Sequence, residues 1–169
     1  MSAILLRTDH LSFAYPERTS RPFKRVTGRD VVKRVTLALP RGSVLGLVGE
    51  SGSGKTTLGR LLVRLLQPTS GGIQFDGVDI SRLSEAELRP LRARIQMIFQ
   101  DPQSSLNPRL LLGVTLTRQL QVFGRLQGRR DRRDRAAALL DLVGLPTRFV
   151  DRYPHELSGG QRQRAGIAR

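Results

Sequence analysis

At 169 residues with 38% apolar content, the chain can bury the hydrophobic core of one domain. Its 29 Lys+Arg against 14 Asp+Glu leave a net charge of +15, yet only Lys24, Lys33 and Lys55 are lysines, so the charge is scattered arginine and reads as a solvated basic surface. The absence of cysteine excludes disulfides and thiolate zinc sites, the start Met1 to Arg7 lacks the pattern of a signal peptide, and no stretch approaches the ~20 apolar residues of a membrane span.

Residues 3–15 and 31–39 carry β-rich, partly alternating patterns separated by a polar, basic stretch from Pro16 to Asp30, which predicts paired strands joined by a surface excursion. Ser43-Val44-Leu45-Gly46-Leu47-Val48 is a short apolar run of the kind that forms a buried parallel strand. Leu58, Leu61, Leu62, Leu65 and Leu66 then recur with helical spacing, so a strand is expected to feed a helix through a glycine-rich turn. Gly71 to Gly77 predicts another short strand with turns. Ser84 and Glu87 form a capping box opening a helix to about Arg92, which Pro90 would kink or end early. Ile95 to Phe99 reads as a further buried strand, followed by a loop between Asp101-Pro102 and Asn107-Pro108. From Leu110 the pattern is helical. The run Arg129 to Arg135, with Asp131 and Asp134 inside it, reads as an exposed helix start more than a nucleic-acid arm. Ala136, Leu139, Leu140 and Val143 make one apolar face ending at Gly144, and Ser158 with Gln161 caps a last helix.

Gly49-Glu50-Ser51-Gly52-Ser53-Gly54-Lys55-Thr56 fits G-x-x-x-x-G-K-[ST] between an apolar run and an amphipathic helix, the context a phosphate-binding loop requires. Its glycines let successive N–H groups curl round phosphate oxygens at the positive end of the helix. Lys55 supplies a cation to the β- and γ-phosphates, the Thr56 hydroxyl can ligate Mg²⁺, and Ser53 and Thr57 can add contacts. An ordinary glycine-rich turn with a surface lysine is the bland competitor.

Downstream, Leu157-Ser158-Gly159-Gly160-Gln161, followed by Arg162-Gln163-Arg164, resembles the signature motif of ATP-binding cassette (ABC) proteins. Two glycines at a helix start expose backbone N–H groups that could meet the γ-phosphate held by a second subunit; a plain capping box is the structural alternative. The resemblance implies an α/β fold: a P-loop NTPase core with a parallel sheet, an N-terminal antiparallel β portion and a helical subdomain. It divides the chain into a β portion and core over residues 1–109, a helical part over 110–156, and the signature motif and helix over 157–169. It further implies that Gln100 is the glutamine that reaches Mg²⁺ and the attacking water. Tyr15 would be the aromatic that stacks on adenine, with Phe13 as its competitor, and His155 reads as structural.

Phe99-Gln100-Asp101-Pro102, Ser105 to Arg109 and Arg152 to Arg164 are similar to the ATPases of dipeptide, oligopeptide and nickel importers. That likeness implies ATP and Mg²⁺ as ligands, a second ATPase subunit and integral membrane permease subunits as partners, and an extracytoplasmic solute-binding protein as an indirect one. It places the protein at the cytoplasmic face of the cell membrane, with no nucleic-acid partner. The family's Asp-Glu pair, which follows the signature helix, and its later switch histidine do not occur within residues 1–169. The expectation is therefore a partial nucleotide-binding domain, from a truncated or frameshifted gene or a partial record, that turns over little ATP alone. The competing readings are a non-transport cassette ATPase acting on DNA or the ribosome, and a non-catalytic remnant.

Overall fold

The computed structural model describes residues 3–16, 28, 30–99 and 106–169, and these fall into two compact units, Met1–Met97 and Ile98–Arg169. In the first unit, strands β1 (Ile4–Ala14), β2 (Asp30–Pro40), β3 (Ser70–Phe75) and β4 (Val78–Asp79) form one antiparallel sheet in the order β2-β1-β3-β4. The alternation in the sequence is realised on one face. Leu6, Leu11, Phe13, Val32, Ile73 and Phe75 are buried with Leu58 and Leu61 of helix α1 (Lys55–Leu62), while the opposite face is largely wet.

Three positive-φ residues meet at a bulge in β1. The pairing register shifts between Thr8 and Leu11, where His10 takes φ 44°, and Arg34 (φ 46°) lies on the neighbouring strand. Gly71 (φ 84°) sits against the same bulge, and a Cβ there would lie 2.6 Å from the Asp9 carbonyl oxygen and closer still to that of His10. Only glycine lets β3 approach β1 at this point.

Helix α1 ends in a Schellman arrangement built without glycine. Arg64 takes the left-handed position at φ 54°, its N–H donates to Leu61 O (2.8 Å), and the Leu65 N–H donates to Arg60 O (2.8 Å). The Arg64 side chain turns inward and donates from Nε to Ile80 O (2.6 Å) and from Nη2 to Leu83 O (2.8 Å), and burial lowers its pKa. Helix α2 (Glu85–Leu88) carries the expected Ser84–Glu87 capping box and stops at Leu88, two residues before Pro90. A single 3₁₀ turn (Leu91–Ala93) then replaces the helix expected to reach Arg92.

The two expected parallel strands do not form among the described residues. Residues 43–50 form no strand and are exposed, Val44 at 98% and Val48 at 92%, and residues 95–99 likewise form no strand, with Ile98 and Phe99 exposed. A parallel strand needs a neighbour to complete its hydrogen-bond ladder and cover for both faces. No described strand pairs with either run: the one described sheet has the order β2-β1-β3-β4.

The second unit is helical: α3 (Leu112–Val122), α4 (Gly128–Leu142) and α5 (Gly159–Ala168), with 3₁₀ turns at Thr147–Asp151 and Pro154–Glu156. Leu112, Leu116, Ala136, Leu140, Leu145, Phe149, Leu157 and Ala165 form its core, so helix α5 packs with α3 and α4. Gly144 closes α4 as expected, at φ 64°, with its N–H on Asp141 O (2.9 Å) and the Leu145 N–H on Leu140 O (2.9 Å). The arginine-rich run forms the first turns of α4. Asp131 accepts from the Gln127 N–H at 2.8 Å, and Arg133 grips Asp151 with two bonds of 2.9 and 2.7 Å.

Gly71→Ala is expected to lower stability by at least about 2 kcal/mol, since it adds left-handed strain to a backbone clash; urea unfolding monitored by circular dichroism measures it. Acid should also weaken the first unit. Arg94, bonded to the Asp76 carboxylate and helped by Arg41, holds that group below its ordinary value of 3.8. A depressed folded pKa means that its stabilisation is complete above the unfolded value and is lost as pH falls through the folded one. Melting points recorded downward from pH 5 should therefore fall below about pH 4, and less steeply in Asp76→Asn. Some slope should remain in that variant, because Asp79 and Glu87 are depressed by Ser81 and Ser84.

Candidate nucleotide-binding site

The loop Gly49 to Gly54 leads directly into α1. Gly54 occupies the N-cap at φ 93° and has no side chain to offer the first turn, which also contains no acidic residue. A Cβ on Gly54 would stand 2.8 Å from the Val31 carbonyl oxygen, so the start of α1 is seated directly on β2. The N–H groups of an uncapped first turn point out of the helix end, where the backbone dipoles leave partial positive charge. Gly52 (φ 82°) turns the loop.

The Lys55 ammonium folds back over the loop. It donates to Gly49 O (2.7 Å) and Glu50 O (2.5 Å) and lies 3.4 Å from Ser53 Oγ. Ser51, Gly52, Ser53 and Thr56 are exposed, whereas Thr57 is buried. Phe13 and Tyr15 separate cleanly. Phe13 belongs to the core, while Tyr15 is 42% exposed, meets Phe13 edge-to-face at 4.9 Å between centroids, and places its phenol oxygen 3.3 Å from Thr57 Oγ1. The structure therefore brings Tyr15 to the helix that opens at Lys55. Gln100 lies outside the described residues.

In the helical unit, Ser158 N-caps α5. Its hydroxyl accepts from the Gln161 N–H at 3.3 Å, and Gln161 Oε1 accepts from the Ser158 N–H at 2.9 Å, a reciprocal capping box. Leu157 is buried below this turn, and nothing lies within 4 Å of where a Gly160 Cβ would be, so the chain is open to approach at Gly160. Arg162 donates to Leu157 O at 2.6 Å, and Arg164 donates to Gly144 O at 2.9 Å, tying α5 to the end of α4. Tyr153 and His155 stack at 5.5 Å, and Glu156 accepts from the Tyr153 N–H at 2.6 Å.

Two features escape a reading of the sequence. The Tyr15–Thr57 bond joins residues that are 42 positions apart and has no local signal. Arg64 and Arg92 look like surface arginines, yet Arg92 donates to Val63 O (2.6 Å) and Arg64 O (2.9 Å), so both guanidiniums secure the far end of the helix that starts at the loop. The helical spacing of Leu58 to Leu66 runs past Arg64, whereas α1 ends at Leu62, so no signal in the sequence marks Arg64 as the residue that closes the helix.

Residues 32–169 match the ABC transporter family. The chain belongs to that family. It is 53% identical over 139 residues, 82% of its length, to a protein of Brucella abortus (strain 2308) named as a peptide import ATP-binding protein. It is 50% identical over 139 residues, again 82% of its length, to a protein so named in Brucella suis biovar 1 (strain 1330). It spans 41% and 44% of the lengths of these two relatives. Among solved structures it is similar to a dimeric, post-hydrolysis ATP-binding cassette bound to ADP and Pi, with TM-score 0.77 and 28% identity over 97% of this chain and 68% of that one. A cassette from Clostridium perfringens, part of an ABC transporter complex, matches with TM-score 0.75 and 27% identity over 98% of this chain and 60% of that one. The α/β cassette fold is thus shared, with the N-terminal antiparallel sheet present here.

Ser158→Ala should remove about 1 kcal/mol of local stability from α5 and speed amide hydrogen exchange at Gln161, leaving exchange in β1 and β3 unchanged.

Proposed function

We propose that this chain is the nucleotide-binding part of an ATPase subunit that energises a bacterial importer of peptides. The observation that carries the reading is the start of α1: an uncapped helix end seated by Gly54 on Val31, with the Lys55 ammonium resting on loop carbonyls it can leave for phosphate. In this reading the N–H groups of the loop and first turn receive the phosphates of ATP, with Gly49, Ser51, Gly52, Ser53, Gly54 and Thr57 shaping the cradle. Lys55 places its charge at the β- and γ-phosphates. Tyr15, exposed beside α1, offers its ring to the adenine.

Thr56, exposed in the first turn, would hold Mg²⁺ through its hydroxyl, with Gln100 as the second protein ligand. Bound Mg²⁺ would neutralise charge on the phosphate oxygens. In this reading residues 1–169 supply nucleotide binding.

Leu157 to Gln161 would complete the site of a second ATPase subunit, since the open backbone at Gly160 can meet a phosphate held across a dimer. The dimeric cassette of similar fold supports that arrangement. Closure of two such subunits over ATP would then drive the permease subunits at the cytoplasmic face of the membrane, with a solute-binding protein delivering cargo from the other side. Relatives named for peptide import favour peptides over nickel, and favour transport over DNA or ribosome work.

Titration calorimetry of the chain with Mg-ATP should show saturable binding that Lys55→Ala weakens roughly 10- to 100-fold, the loss of a charge-assisted phosphate contact. Equal ATP affinity in both proteins would sink the reading.

A further inference from the structure

Tyr15 is held from three sides. The Ala14 N–H donates to Thr69 Oγ1 at 3.1 Å, and the Thr69 N–H donates to Ser12 O at 2.9 Å, which anchors the end of β1. The buried Phe13 ring meets Tyr15 at 4.9 Å and 86°, which limits the tilt of the phenol ring. The Thr57 hydroxyl, in a residue only 8% exposed, then bonds the phenol oxygen at 3.3 Å. Thr57 lies in the first turn of α1, two residues after Lys55, so this bond ties the aromatic ring to the element that carries the phosphate loop.

We propose that Thr57 is a positioning residue for Tyr15, its hydroxyl presetting the ring as a stacking platform for a base whose phosphates occupy the loop of the same helix. The inference rests on the reading that the loop binds ATP. An aromatic side chain that is free before binding must be ordered by the ligand, which weakens affinity by about two- to tenfold. A ring already held by the Thr57 hydroxyl avoids that loss. The Tyr15 hydroxyl acts on the base alone, because the phosphates engage the loop whether or not the ring is fixed.

The test compares ATP with inorganic tripolyphosphate, which has no base, on the whole chain by calorimetry. Tyr15→Phe keeps the ring and removes the hydroxyl; it should bind ATP about two- to tenfold more weakly and tripolyphosphate as tightly as the parent. Thr57→Val will also lose phosphate affinity, but adding Tyr15→Phe to it should cost nothing more, whereas in a Thr57→Ser background the loss should persist. Tyr15 and Tyr153 are the two tyrosines and there is no tryptophan, so Tyr153→Phe leaves Tyr15 as the sole fluorophore. Its anisotropy in nucleotide-free protein should fall on Thr57→Val. Unchanged ATP affinity in Tyr15→Phe, additive losses in the double variant, or an equal loss for tripolyphosphate would each overturn the proposal while leaving ATP binding intact. A parent chain that fails to bind ATP would remove the functional reading, and this inference with it.

Discussion

Helix α1 begins where Gly54 presses against the Val31 carbonyl, and the placement of the loop and of Lys55 depends on that contact. A side chain at Gly54 would push the helix off β2 and turn its N–H groups away from the loop. The contact also explains why the helix end lacks a capping side chain: an N-cap serine or aspartate would satisfy the donors that a phosphate would otherwise meet, and would need space that the strand already fills. The cost is an unsatisfied helix end. The Lys55 ammonium does not relieve it, because its bonds go to the loop carbonyls of Gly49 and Glu50 and not to the helix donors.

The opposite end of α1 is secured by charge. Arg64 and Arg92 direct their guanidiniums at the carbonyls of Val63, Arg64, Ile80 and Leu83, some of which terminate the helix and would otherwise lack partners. Arg64 is nearly buried, so its charge is desolvated, and the carbonyl acceptors together with Glu85 compensate. A helix gripped at its C-terminal end and left open at its N-terminal end is suited to holding a ligand at the open end without moving as a whole. The helical unit applies the same economy differently. Ser158 and Gln161 satisfy each other's backbone donors at the start of α5, and the Arg164 guanidinium bonds the carbonyl of Gly144 at the end of α4.

Local signals in the sequence carried much of this. The Ser84–Glu87 and Ser158–Gln161 boxes, the glycine after α4, the period-2 strands around Leu11 and Val32, and the phosphate-loop motif are all interactions among residues within a few positions of one another, which a one-dimensional pattern records faithfully. The two apolar runs at Ser43 to Val48 and Ile95 to Phe99 misled for a physical reason. An apolar run states that burial is favourable, but a strand exists only when a neighbour supplies its ladder, and no described strand does so.

By itself, then, the sequence determined the glycine-rich loop before α1, the antiparallel strands and the helix caps at Ser84 and Ser158, because each is set by short-range spacing. Only the tertiary structure decided that Tyr15 rather than Phe13 stands exposed beside α1, that its phenol bonds Thr57, that Gly54 and Gly71 are required by backbone approaching from another strand, and that two arginines lie across the end of α1. Those are contacts between residues distant in the chain, where the partner is fixed by how strands and helices pack and no local pattern encodes it.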